Sequence, residues 1–285
     1  MLSFSALVAG SFSLGSRIAN EIDPAALTLA RFAIAVVSCA VAAQLVGPGF
    51  KRIHFRAPWR WLALGAIYAI YFVMMFQGLK TADPVATSAV FTLQPILTGI
   101  IGYIVLRQIT TPRMALALAI GAAGALWVIF RADLGALMRF DIGKGEFIFF
   151  IGSVFHAALP VMIRLLTRGE PQLVTTTLML AGGGIVLLPW GIGPALQTDW
   201  AALSGLAWLT LLYVAVVASG ATSLLMSYSS QRLPGAKLMA YTYLVPSWVI
   251  CWEIALGGTV PPAMVLVGVA LTIVALLMLL KDEAK

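Results

Sequence analysis

Few residues in this 285-residue chain could do chemistry. There are two histidines, His54 and His156, two cysteines, Cys39 and Cys251, and eleven Asp and Glu. His54 stands in a basic link and His156 in an apolar run, and neither has an acid beside it in the sequence. Each cysteine lies alone in an apolar run, with no CxxC and no Cys/His metal spacing. They read as small packing residues, with no disulfide framework, metal or cofactor expected. A membrane-embedded lipid enzyme would need paired carboxylates, a metal cluster or an activated nucleophile, and none of these patterns occurs, so catalysis is not expected. Glu253 is the one acid inside an apolar run, about one turn before Gly257-Gly258. It is either a partly solvated structural group that reaches the interface or part of a gate. No Asp or Glu lies near the middle of the first or sixth run, which argues against one central carboxylate alternating between a proton and a cationic drug.

The elements that would position these residues are apolar helices. The chain is 61% hydrophobic and 10% charged, with a mean hydropathy of +0.99. A soluble domain is nearer half apolar and a quarter charged, so the class is membrane. Ten runs are long enough for about 20 mostly apolar residues each: 2–19, 25–46, 59–79, 84–106, 113–131, 145–167, 172–192, 204–230, 235–257 and 262–281. The first run starts at Leu2 without a basic leader and reads as a retained helix rather than a signal peptide. Several links carry proline at a helix start: Asp23-Pro24, Asp83-Pro84, Thr111-Pro112, Glu170-Pro171, Pro234-Gly235 and Pro261-Pro262.

The net charge of +7 sits in the links, which points to membrane topology and not to nucleic acid. With the N-terminus inside, twelve Lys and Arg fall on the cytoplasmic side: Lys51, Arg52, Arg56, Arg60, Arg107, Arg113, Arg164, Arg168, Arg232, Lys237, Lys281 and Lys285. Arg17, Lys80, Arg131, Arg139 and Lys144 fall outside, with Arg31 near the outer end of the second run. The bias places both termini in the cytoplasm.

Within the runs, side chains repeat at helical spacing. Tyr68, Tyr71, Phe72 and Met75 share one face of the third; Tyr241, Val245, Trp248 and Trp252 form a similar stripe on the ninth. Each stripe is either packing or a stacking wall for a solute. Small residues line other faces: Ser88, Thr92, Pro95, Gly99 and Gly102 on the fourth, and Ser219, Gly220, Ser223 and Ser227 on the eighth. These suit close helix approach or contact with a ligand. Pro95 and Pro246 free backbone carbonyls within their runs, for hinges or for solute amino groups. His156 is either a hydrogen-bonded packing residue or a substrate contact that titrates near neutrality.

A repeat underlies this pattern. A shift of 147 places Arg17 on Arg164, Asp23-Pro24 on Glu170-Pro171, and Trp61-Leu62 and Leu64 on Trp208-Leu209 and Leu211. Further on the shift is 151, placing Leu93 and Pro95 on Leu244 and Pro246, with the extra four residues in the long eighth run. The fold class expected is therefore an all-α membrane protein of ten transmembrane helices in two halves, 1–140 and 141–285. An odd number of spans per half inverts the second, as in transporters whose site lies between repeats near the midplane.

The stretch from Phe76 to Pro95, FQGLKTADPVATSAVFTLQP, resembles the link and fourth helix of the EamA family of the drug/metabolite transporter superfamily. So do Ala240 to Pro246, AYTYLVP, the opening Gly10-Ser11-Phe12 followed by Arg17, and Asp23-Pro24 before Leu29-Ala30-Arg31-Phe32. Within the family the chain looks most like YddG-type aromatic amino acid exporters. It departs from the family where Leu106-Arg107-Gln108 and Leu256-Gly257-Gly258 replace Leu-Gly-Glu, and where Ala9-Gly10 replaces Trp-Gly.

The resemblance implies a bacterial inner-membrane exporter in which the aromatic stripes line a central cavity. Candidate substrate contacts are Tyr68, Tyr71, Phe72, Met75, Thr92, His156, Ser223, Tyr241 and Trp248, with Pro95, Pro246 and Glu253 as hinge or gate. The expected cargo is small neutral or hydrophobic metabolites, amino acids with aromatic ones among them. Multidrug or nucleobase export is the alternative. The partners are the solute and the bilayer, with no nucleic acid and no obligate protein partner.

Overall fold

The computed structural model describes residues 1–109, 111–139, 142–258 and 262–281. Pro261, Lys285 and the proposed 140/141 boundary lie outside the described residues. Among those described, nine helices are long and apolar enough to cross a membrane. With the first helix they are labelled α1 (Leu2–Ile18), α2 (Pro24–Leu45), α3 (Trp59–Leu79), α4 (Pro84–Leu106), α5 (Pro112–Ile129), α6 (Lys144–Leu166), α7 (Gln172–Gln197), α8 (Gly205–Ser230), α9 (Gly235–Ala255) and α10 (Ala263–Lys281). The expected count of ten is thus met by nine. At 17 residues, α1 is about 25 Å long, short of the hydrocarbon thickness of about 30 Å. α7 runs five residues past its expected end at 192.

Local chemistry sets the helix starts. Asp23 and Asp83 each precede a proline at the first helical position, and their carboxylates accept from the two amides that follow: Ala25 and Ala26 at 2.8 and 3.2 Å, Val85 and Ala86 at 2.9 and 3.2 Å. Glu170-Pro171 behaves differently. Pro171 is itself the cap of α7 and makes no side-chain cap bond. The longer Glu170 side chain turns back to the Arg168 amide and to Arg60.

The helices bury hydroxyls and expose hydrocarbon. Ser5, Ser11, Thr28, Thr87, Ser88 and Thr272 are buried, whereas Val37, Val41 and Leu45 of α2, Ile100 and Ile104 of α4, and Val267 and Val274 of α10 face outward. In a fold surrounded by lipid this reversal is expected, since the tails solvate the outward leucines and valines and no water reaches inside to solvate a hydroxyl. Many hydroxyls bond within their own helix, as Thr28 does to the Pro24 carbonyl (2.7 Å) and Thr87 to that of Asp83 (2.7 Å).

α2 packs along α7 and α5 along α10; α3 lies between α6 and α7, and α8 touches α1 and α2. α4 and α9 are each interrupted near midspan. α4 breaks at Thr92 and Leu93, just before Pro95; α9 narrows to a 3-10 turn over Ala240–Leu244, just before Pro246. α8 widens to a π-helix over Tyr213–Ala221, so its extra residues go partly into a wider winding.

The α5–α10 seam depends on glycine. A Cβ on Gly124 would lie 2.6 Å from the Gly268 carbonyl oxygen, and one on Gly268 would lie 2.7 Å from that of Gly124. Both obstacles are backbone, so neither can swing aside. We expect Gly124→Val to destabilise the protein by at least about 1–3 kcal/mol, read as a lower melting temperature in detergent. An unchanged melting temperature would place the seam elsewhere.

Candidate functional site

At midspan five helices close around one cavity. α3 contributes Tyr68, Tyr71, Phe72 and Met75; α1 contributes Phe4, Val8 and Ser11; Phe91 comes from α4, His156 from α6, and Ala218 and Thr222 from α8. The space open to the centre of a water-sized sphere is about 10 Å³, room for about one water. This conformation is occluded.

The helical spacing of α3 puts its four residues on one wall. Tyr68 and Phe72 have ring centroids 4.4 Å apart, and Tyr71 and Phe72 4.7 Å. His156 lies against this wall, 4.2 Å from Tyr71 and 5.2 Å from Phe91 between centroids. Gln94 orients it. The Gln94 Nε2 donates to the Ser153 carbonyl at 2.9 Å, which leaves Oε1 facing His156 Nδ1 at 3.2 Å. A carbonyl can only accept, so the amide orientation is determined and the Nδ1 must carry the proton. In the neutral ring Nε2 is then the acceptor. Ser223 donates to the Tyr68 hydroxyl at 2.9 Å and so positions a wall residue without lining the cavity.

The other expected contacts lie elsewhere. Thr92 is buried at the α4 break, bonded to the Ala89 carbonyl at 2.6 Å. Tyr241 packs against a separate core that includes Met114, Tyr243 and Leu276, and Trp248 is 39% exposed with its indole N–H on Ser5 Oγ at 3.3 Å. The ninth-helix stripe assumed an unbroken α-helix, whereas the 3-10 turn rotates Thr242 and Tyr243 inward and Tyr241 away. Pro95 and Pro246 lie in the first turn after each break.

Three features escaped the sequence reading. The first is Gln94, for which a Gln-Pro pair in the middle of an apolar run was the available signal. The second is Arg31. Far from reaching the outer end of its run, it is the eighth residue of α2, fully buried, with its guanidinium carbon 3.4 Å from the Phe72 ring centroid. An arginine inside a span costs about 2.5–3.5 kcal/mol on insertion scales, and that cost was the signal. The third is a pair of closures at opposite ends of the bundle. At one end Arg17 at the close of α1 forms a two-pronged pair with Glu253 of α9, at 3.1 and 3.2 Å. At the other, Arg60 of α3 binds Glu170 at 2.8 Å and the Leu166 carbonyl at 2.6 Å. The Arg17–Glu253 side chains are 26% and 16% exposed, so that pair is worth about 1 kcal/mol or less. This is too little to hold a fold together but enough to bias two conformations of similar energy.

Burial alone would raise the Glu170 pKa. The Arg168 amide and the Arg60 guanidinium outweigh it and hold the carboxyl below its ordinary range. Among the described residues no group of three or more His, Cys, Asp or Glu is placed to hold a metal ion.

An apolar helical bundle with an enclosed aromatic cavity at midspan and a charged closure at each end has the arrangement of a membrane carrier. The chain belongs to the EamA-like transporter family, whose model matches residues 1–130 and 143–281. It is therefore a multi-pass membrane transporter, not an enzyme. It is similar to the "Uncharacterized transporter YyaM" of Bacillus subtilis, with 23% identity over 279 residues, 97% of this chain and 91% of that protein. A solved crystal structure shares the fold with a TM-score of 0.72 at 18% identity, over 97% of this chain and 94% of that one.

His156→Ala is expected to lower transport severalfold at unchanged expression, and unchanged uptake in proteoliposomes would remove the ring from the site. For Glu170 the depressed pKa sets the sign. Its ionised form stabilises the closure above the ordinary carboxylate range, and that contribution is lost as pH falls through the lowered value. Glu170→Gln should therefore lower the melting temperature at pH 7 and reduce its loss on acidification. Parallel acid profiles for the two proteins would refute the pairing.

Proposed function

We propose that this transporter exports small neutral or hydrophobic metabolites, amino acids including aromatic ones, from the cytoplasm across a bacterial inner membrane. It does so by alternating access between two inverted five-helix halves, 1–140 and 141–285, with α1 as the tenth span and both termini cytoplasmic. The observation that carries this reading is the closed midspan cavity walled by Tyr68, Tyr71, Phe72, Phe91 and His156. Aromatic faces stack on a flat or branched apolar side chain and discriminate weakly between related ones, which suits a broad range of cargo.

The helix pairing supports the inverted halves. If α1–α5 correspond to α6–α10, then α2 with α7 and α5 with α10 are self-matching pairs, and α3 with α6 corresponds to α8 with α1. The midspan breaks before Pro95 and Pro246 fall at matching places in α4 and α9. The family match also runs in two segments. Orientation rests on the excess of Lys and Arg on the side that holds the N-terminus.

Glu253 acts as a gate in this scheme. Its pair with Arg17 ties α1 to α9 at one end, while Arg60 and Glu170 tie the start of α3 to the α6–α7 link at the other. Opening to one side requires breaking one pair and keeping the other. Among the described residues no carboxylate lines the cavity, and downhill exchange and proton antiport both fit.

Purified protein in proteoliposomes, loaded with labelled phenylalanine or leucine, should show saturable counterflow, and a pH gradient will separate antiport from downhill exchange. Exchange of nucleobases or cationic dyes, with none of amino acids, would move the assignment to the alternative cargo. Glu253→Gln should change the exchange rate while binding of the solute is kept. Identical rates would reduce Glu253 to a structural role.

A further inference from the structure

Arg31 does more than packing requires. Its side chain has no solvent exposure. The Nε donates to Ser219 Oγ at 2.5 Å, and the guanidinium lies on the Phe72 ring. Nη1 and Nη2 are buried with no hydrogen-bond partner among the described residues. Arginine does not shed its charge in a protein, so a cation with a free fork is held inside the bundle. Tethering α8 through Ser219 needs only Nε, and filling the space needs only an apolar side chain. The free far edge of the guanidinium remains to be explained.

Its surroundings indicate what that edge is for. Phe72, the ring beneath it, is a cavity wall residue, and Ser219, its anchor, adjoins wall residue Ala218 within the π-helical stretch of α8. π-helical turns recur at functional sites. Phe72 in turn packs on Tyr68 and Tyr71, two more wall residues, at 4.4 and 4.7 Å between ring centroids. The stack on Phe72 and the bond to Ser219 together hold the plane of the fork, and a fork held in this way matches the two oxygens of a carboxylate.

We propose that Arg31 is the anion-recognition residue of the central site, and that the transported solutes carry a carboxylate, which Nη1 and Nη2 take as a two-pronged pair while the aromatic wall takes the hydrocarbon part. The inference rests on the amino acid reading of the cavity and narrows it to carboxylates, as against nucleobases or cationic dyes. In the occluded conformation Arg31 stands one ring behind the cavity. Parting of α3 from α8 between Phe72 and Ala218 brings its far edge to the solute.

The test compares three probes in proteoliposomes and by calorimetry on the purified protein: phenylalanine, 3-phenylpropionate, which lacks the amine, and phenylalaninamide, which lacks the carboxylate. Phenylalanine and 3-phenylpropionate should bind and compete, with the amide weaker by about tenfold or more, as expected for a charge-assisted pair. Arg31→Gln should abolish that preference and Arg31→Lys should keep part of it. Ser219→Ala should weaken carboxylate binding severalfold by releasing the fork. Should Arg31→Gln fail to fold, the wild-type preference and Ser219→Ala decide the question. Equal binding of phenylalanine and its amide, with counterflow intact, would overturn the role of Arg31 and leave the transport reading standing. A preference that survives in folded Arg31→Gln would do the same. Arg31-dependent binding of 3-phenylpropionate without phenylalanine exchange would support Arg31 and overturn the amino acid reading. Binding of none of the probes and no exchange would overturn both.

Discussion

A polar group carried into hydrocarbon has to be met by another group of the same protein, because no water is there to meet it. Most of this structure follows from that demand. The hydroxyls of Thr28 and Thr87 fold back onto their own helices. Gln94 bonds a carbonyl of α6 with its nitrogen and His156 with its oxygen, so two buried polar side chains satisfy each other across a helix seam. Where α4 breaks, the Thr92 hydroxyl caps the Ala89 carbonyl. Not every group is met: buried hydroxyls such as those of Ser13, Thr175 and Tyr243 have no partner among the described residues, and neither does the far edge of Arg31, a charged group that lies beside the cavity.

The same demand explains how a closed bundle can still move. Glycine seams such as Gly124 against Gly268 bring backbones together without interlocking side chains, and lipid gives no hydrophobic push between helices. What holds the ends shut is local: Arg17 with Glu253 at one, Arg60 with Glu170 at the other. Each pair ties elements from opposite halves of the chain; Arg17 and Glu253 are partly exposed, so breaking that pair costs little, whereas Arg60 and Glu170 are buried and their pair is the costlier one to break. Of the two irregular windings, the π-helical stretch of α8 adjoins the cavity through Ala218, and the 3-10 turn of α9 lies in the separate core around Tyr243.

Much of the fold was legible in the sequence because hydrophobic length and helix caps are local properties. The helix bounds follow the apolar runs closely, and helices start at the prolines of the Asp-Pro pairs at 23–24 and 83–84 as expected, with the aspartates adding caps. Glu170-Pro171 has the same look but a different outcome, since one extra methylene lets the carboxylate reach Arg60. The aromatic face of α3 was legible because that helix is unbroken; Tyr68, Tyr71, Phe72 and Met75 all reach the cavity. The matching stripe of α9 was not, because a 3-10 turn of 3.0 residues displaces Tyr241 from the expected face.

The sequence by itself determined that the chain is a membrane-embedded helical protein, where its helices begin, and which face of α3 is aromatic. Each of these depends on residues within a few turns of one another. Only the tertiary structure decided that His156 is held by Gln94, that Glu253 answers Arg17 from 236 positions away, and that Arg31 points into the protein and not toward the interface. Those are contacts between distant segments. They depend on which helix faces which, and composition and periodicity carry no record of that.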